Sequence, residues 1–158
     1  MLNRSTTTSL AAILALGLAA FGACSDDSDD TGPMFGDLEF TPSFADMGSR
    51  RDTALILTNA STAEHGPILI GVDAVFPTLN PSDLSCSGDN SIQVTVAPSS
   101  ISSLAPGEDA TLNVTIDASS VDLNKCPPAQ YDADIGAGVS SRVLGGATIR
   151  FDWDGSPP

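Results

Sequence analysis

Positive charge is scarce in this sequence. Six lysines and arginines stand against twenty aspartates and glutamates in 158 residues, a formal net charge of −14. Such a surface repels phosphate backbones and anionic headgroups, because binding them requires Lys and Arg to displace counterions. Nucleic-acid binding is thereby excluded. Histidine is scarcer still: His65 stands alone, in "STAEHGP", and no nucleophile-elbow motif accompanies it. Its expected place is an exposed turn, with Glu64 pointing away. One Trp and one Tyr under-equip a sugar-stacking platform. No Gly-rich loop follows a strand and opens a helix, so nucleotide binding has no support. After the first 23 residues no capped segment with helical spacing occurs.

The longest apolar run, "SLAAILALGLAAFGA" from Ser9 to Ala23, falls short of the roughly 20 residues a spanning helix needs. With Arg4 before it, it has the layout of a signal peptide, residues 1–23. An ordinary secretory cut after Gly22 is the alternative. At the border, Phe21-Gly22-Ala23-Cys24 resembles the lipobox of bacterial lipoproteins, with Phe21 in place of the usual Leu. The resemblance implies lipidation of Cys24 and cleavage before it. Ser25 follows where an Asp would signal inner-membrane retention, so the expected location is a bacterial cell envelope, lipid-anchored at the outer membrane. Residues 24–36, rich in Asp with Gly and Pro, read as an acidic flexible tether. They lack the fixed spacing of carbonyls and a bidentate carboxylate that a calcium loop needs.

Removing residues 1–23 takes away Arg4 and no acid, leaving five basic against twenty acidic residues, a formal charge of −15 over 135 residues. That length suits one domain with a sizeable core, residues 37–158. Of the three cysteines, Cys24 belongs to the lipobox. Cys86 and Cys126 remain as an even pair, which suits a disulfide in an oxidising compartment. The alternatives are free thiols or a metal pair, for which His65 would be the sole helper against the four ligands of structural zinc.

From Asp37 onward the pattern has period two. "DLEFT" sets Leu38 and Phe40 on one face; "TALILTN" is apolar on both faces, as in a central strand. "PILIGVDAVF" places Ile68, Ile70, Val72 and Ala74 in register, and "SIQVTVAP" places Ile92, Val94 and Val96 inward. "ATLNVTID", "YDADIGAGV" and "ATIRFDWD" continue the alternation, with Tyr131 and Trp153 on core-facing sides. Ser99–Ser103 and Leu123–Gln130 read as loops or short edge strands. Seven alternating strands predict an all-β fold, a single immunoglobulin-like antiparallel β-sandwich.

The same stretches, "LEF…ALILTNAS…ILIGVDAVF…LAPGEDATLNVTID…QYDADI…ATIRFDW", resemble the ASH-type immunoglobulin-like domains, relatives of the major sperm protein fold. The likeness covers Leu38 to Trp153 and is carried by Asn59, Leu104, Pro106, Gly107 and Tyr131. It departs after Ile116, where the family shows Phe-x-Pro and "DASSVDLNKCPPA" intervenes here. That resemblance implies a scaffolding or adhesion module rather than an enzyme.

No catalytic residue and no cofactor emerge. Asp132, Asp134, Asp152 and Asp154 invite a paired-carboxylate reading, but alternate residues on a one-sided strand face solvent anyway. If their strands are neighbours, the four make a candidate weak Ca²⁺ site, with Arg142 and Arg150 as competing neutralisers. Two N-x-Ser/Thr sequons begin at Asn59 and Asn113. The expected partners are a membrane, reached through the N-terminal lipid, and an envelope or extracellular protein. The alternative is a surface lipoprotein that binds Ca²⁺ or a glycan.

Overall fold

Period-two alternation in the sequence becomes two faces of a sheet in the structure. The computed structural model describes residues 35–79 and 86–156. The signal peptide, Cys24, nearly all of the acidic tether and part of the loop before Cys86 lie outside the described residues. Among the described residues nine strands occur: β1 (Leu38–Thr41), β2 (Phe44–Asp46), β3 (Asp52–Asn59), β4 (Ile68–Pro77), β5 (Gln93–Ala97), β6 (Ser100–Ile101), β7 (Asp109–Asp117), β8 (Ala129–Val139) and β9 (Arg142–Trp153). No described residue is helical.

The strands form two sheets, in the orders β1-β3-β7-β5 and β2-β9-β8-β4-β6. Setting aside the short β2 and β6, three strands of one sheet face four of the other, in the connectivity of an immunoglobulin-like sandwich. Leu112, Val114 and Ile116 of β7 are buried, and so are Ile149, Phe151 and Trp153 of β9. The intervening Thr111, Asn113 and Thr115 face water. Leu55 and Leu57 meet them from β3 and Tyr131, Ala133 and Ile135 from β8 in one core cluster. Tyr131 and Phe151 stack with ring centroids 5.9 Å apart.

All seven expected strands are present, and two short ones join them. β2 lies parallel to β9, pairing Phe44 with Thr148 and Asp46 with Arg150. The chain thus passes from one sheet to the other within its first described residues. β6 lies in the Ser99–Ser103 stretch and pairs with the start of β4. Two details differ from the sequence reading. β3 is central, between β1 and β7, but its second apolar side is open to solvent: Ala54 and Ile56 are exposed. In β4 the register shifts between Val72 and Ala74 against β8, so that Val75 packs against the core. The extra residue of this β-bulge is Asp73.

The flank where the sheets meet through β1 and β9 is tightly closed. The Gly36 amide donates to the Leu144 carbonyl at 2.6 Å. A β-carbon on Gly145 would collide with the Leu38 carbonyl oxygen. That obstacle is backbone and cannot swing aside. Gly145→Ala is therefore expected to cost about 2–3 kcal/mol, as overpacking does. Gly71→Ala, where a β-carbon meets nothing within 4 Å, should change stability by less than about 0.5 kcal/mol. Chemical denaturation of the two variants side by side checks this.

Candidate functional site

The acidic face of β8 and β9 is set by their register. Gln130 faces Asp152, Asp132 faces Arg150 and Asp134 faces Thr148. Each carboxylate of the row thus has its own neutral or cationic neighbour. Arg150 donates to Asp132 twice, Nε to Oδ1 at 2.8 Å and Nη2 to Oδ2 at 3.0 Å. These bonds to Asp132 raise the Arg150 guanidinium above its ordinary pKa. Its other side lies 5.1 Å from the Phe44 ring, a cation–π contact. Thr148 Oγ1 donates to Asp134 at 2.8 Å, and Gln130 Nε2 to Asp152 at 3.1 Å. Asp154 caps the Ser156 amide at 2.9 Å. The four carboxylates of the candidate Ca²⁺ site are not brought onto one point. Among the described residues no group of three or more His, Cys, Asp or Glu is placed to hold a metal ion.

His65 corrects the sequence reading: it is buried, 7% exposed, not an exposed turn residue. Its amide and carbonyl pair with Leu104 in both directions, at 3.1 and 2.8 Å. Ser61 Oγ lies 2.9 Å from its Nε2, and Asp37 Oδ2 lies 3.4 Å from that same nitrogen. Ser, His and Asp therefore converge, but not as a nucleophile with its base. In a catalytic triad the serine and the acid occupy different ring nitrogens. One nitrogen cannot accept the serine proton while donating to the acid. Ser61 is moreover spent on Asn59, donating from Oγ and from its amide to Asn59 Oδ1 at 2.8 and 3.0 Å.

Asn59 is the centre of this end of the sandwich. Its side chain is fully buried, and Nδ2 donates to the Ala63 and Leu104 carbonyls at 2.7 and 2.8 Å. Its carbonyl accepts the Gly107 amide at 2.8 Å. Gly107 holds a φ of +73°, which glycine adopts without strain. Glu108 closes the turn by accepting the Ala105 amide at 2.8 Å. Asn59, Leu104 and Gly107, three of the positions that carry the family resemblance, thus form one hydrogen-bonded cluster. Its task is to bind the β3–β4 loop to the turn before β7. The sequon at Asn59 is consumed inside the fold; Asn113 is exposed on β7.

At the opposite end, Cys86 and Cys126 are bonded to each other. The Asp122 amide donates to Asn90 O at 2.9 Å, and Lys125 Nζ to Asp89 O at 2.8 Å, fastening the same two loops. Trp153 Nε1 donates to Cys126 O at 3.2 Å, and the Tyr131 hydroxyl to Pro127 O at 2.9 Å. The Tyr131 contact, reaching back four residues from the start of its strand, has the form of a tyrosine corner. Both polar aromatics lie in the core and spend their polar tips on one loop. Arg51 lies 5.7 Å from the Trp153 ring and donates to Asp152 O at 3.0 Å.

Beside these loops the sandwich is open. A cleft of ≈ 1010 Å³ separates the middle of β4 from β5, lined by Val72, Asp73, Val75, Asn90, Ile92 and Val94 among others. Nothing in the local pattern of residues signals it, because it arises where β4, past its short pairing with β6, and β5 run along the margins of different sheets.

No protein-family model matches the sequence, and no curated protein matches it. Solved structures similar to it include the periplasmic chaperone SfaE, with 12% identity, 72% of this chain and 56% of that chain covered, and a TM-score of 0.42. The ASH / PapD-like domain 7 of human CEP192 has 11% identity, 80% and 90% coverage, and a TM-score of 0.46. The secreted serine protease VesC from Vibrio cholerae has 18% identity, 68% and 21% coverage, and a TM-score of 0.38.

Proposed function

We propose that the chain is a lipoprotein of a bacterial cell envelope, held at the outer membrane through Cys24, and that its sandwich is a non-enzymatic interaction or structural module. One observation carries the non-enzymatic part. The serine, histidine and aspartate that come together do so on a single ring nitrogen, 2.9 and 3.4 Å away, inside a cluster whose hydrogen bonds hold two loops. Support for the anchor is the border at Cys24. The bonded pair Cys86–Cys126 suits an oxidising compartment outside the cytoplasm.

Cys24→Ser in a bacterial host tests the anchor. The unaltered chain should partition with membranes, and its N-terminal peptide should begin at a diacylated Cys24. The variant should move to the soluble fraction. An unmodified N-terminus elsewhere in the wild-type chain would overturn the lipoprotein reading. Hydrolytic turnover abolished by Asp132→Asn with Asp134→Asn would overturn the non-enzymatic one.

A further inference from the structure

Sheet edges left unpaired are templates for another strand, and folded proteins guard them with charge, proline, bulges or brevity. Most free edges among the described residues here carry such a guard. β1 has Glu39 within it. β2 is three residues long and ends in Asp46; β6 has two residues. Past its pairing with β6, β4 carries the bulge at Asp73. β5 is different. It closes the β1-β3-β7-β5 sheet, and its five residues, Gln93-Val94-Thr95-Val96-Ala97, include no charge and no proline; Pro98 follows the strand and lies outside the five residues that pair. Its pairing with β7 shows no bulge. It also lies in an 18-residue run, Asn90 to Gly107, without a single charged side chain, in a chain that is 16% charged. No later uncharged run is as long.

We infer that β5 pairs with β5 of a second copy of this chain, antiparallel about a two-fold axis at Thr95. Val94-Thr95-Val96 is symmetric about that residue. Pairing there sets Thr95 against its own image, Val94 against Val96 and Gln93 against Ala97. Thr95 already faces Thr115 of β7, so a row of four threonines would cross the seam; threonine–threonine pairs across strands are favourable. Val94 and Val96 are half-buried while Gln93, Thr95 and Ala97 are exposed, so Val94 of each copy gains cover from Val96 of the other. A second copy is the occupant that best fits the missing charge. Two chains of net charge −14 repel, and an isologous contact is cheapest where neither copy brings a carboxylate. The result is a continuous eight-stranded sheet across the pair.

This inference names a partner for the interaction reading above and rests on it. A five-residue seam is small beside the roughly 1,200–2,000 Å² of stable interfaces, so pairing is expected where an anchor concentrates the copies. The test is oxidative crosslinking of the full chain in its host membranes. In the proposed register two Thr95 Cα atoms lie about 4.5–5.5 Å apart, within disulfide reach. Two Gln93 Cα atoms lie about 13 Å apart, four residues along the ladder. Thr95→Cys should therefore yield at least about tenfold more dimer than Gln93→Cys, with the 95–95 link identified by mass spectrometry. No link from either variant, or equal links from both, overturns the pairing. The share of protein in the membrane fraction, read from the same cells, reports separately on the anchor.

Discussion

Asn59→Ala should remove about 4 kcal/mol of stability, close to half of what a domain of this size has to lose. The side chain is inaccessible to water and takes part in four hydrogen bonds, two donated from Nδ2 and two accepted at Oδ1. Each such bond contributes about 1 kcal/mol net. Truncation also leaves a cavity, and the Leu104 carbonyl, whose bond to Nδ2 is buried, loses that partner. The loop carrying Ser61 and His65 would then be held mainly by the backbone pairing of His65 with Leu104. Asn59→Asp keeps the acceptor and loses both donors, so it should cost about half as much in hydrogen bonds, plus the burial of a charge. Urea denaturation of the two variants measures this. A loss below about 1 kcal/mol for Asn59→Ala would mean that the backbone alone holds this end together.

That cluster marks the boundary of what the sequence discloses. Strand positions and inward faces could be read from alternation alone, because the hydrophobic effect sorts residues locally with a period of two. Asn59, Leu104 and Gly107 could be picked out by family likeness, but not as a cluster; their meeting depends on two loops 45 residues apart closing on each other. The burial of His65 escapes the sequence for the same reason. A polar residue in a turn-like stretch belongs at the surface unless another segment folds over it, and Leu104 does. Asp132 shares a strand face with Asp134, yet only Asp132 is buried under an arginine, because the β8–β9 register sets Arg150 opposite it. β2 gave no signal at all: three residues, two of them exposed, are held by a parallel neighbour about a hundred positions further along the chain.

Replacing Cys86 and Cys126 together by serine should cost a similar amount, about 4 kcal/mol, by the chain-entropy argument for a loop of this length. The two cysteines are 40 positions apart, and the link removes much of the freedom of the unfolded chain between them. For a domain of about 120 residues the melting temperature should fall by about 15 °C. The fold should survive, because Asp122, Lys125, Trp153 and Tyr131 still fasten the loops by hydrogen bonds. Calorimetry with and without reductant separates the contributions. Reductant should lower the wild-type transition to that of the double variant and leave the variant unchanged. A wild-type transition that ignores reductant, in protein whose thiols titrate as free, would refute the stabilisation.

The passage of the chain from β1 into β2 has a mechanical consequence. β2 and β9 run in the same direction, and the contact extends through Thr148 to Ser43, Met47 to Arg150 and Asp152 to Gly48. The described chain enters at the Asn59 end, where Asp37 accepts the Ala60 amide, and leaves past Trp153 at the disulfide end. A pull between those two points runs along the strands, with the β2–β9 hydrogen bonds lying across it. They bear the load together instead of parting one after another, as they would in a hairpin drawn open from its free ends. A domain stretched between a tether at its start and a hold on its far end is loaded in shear, the direction in which a β-ladder yields last.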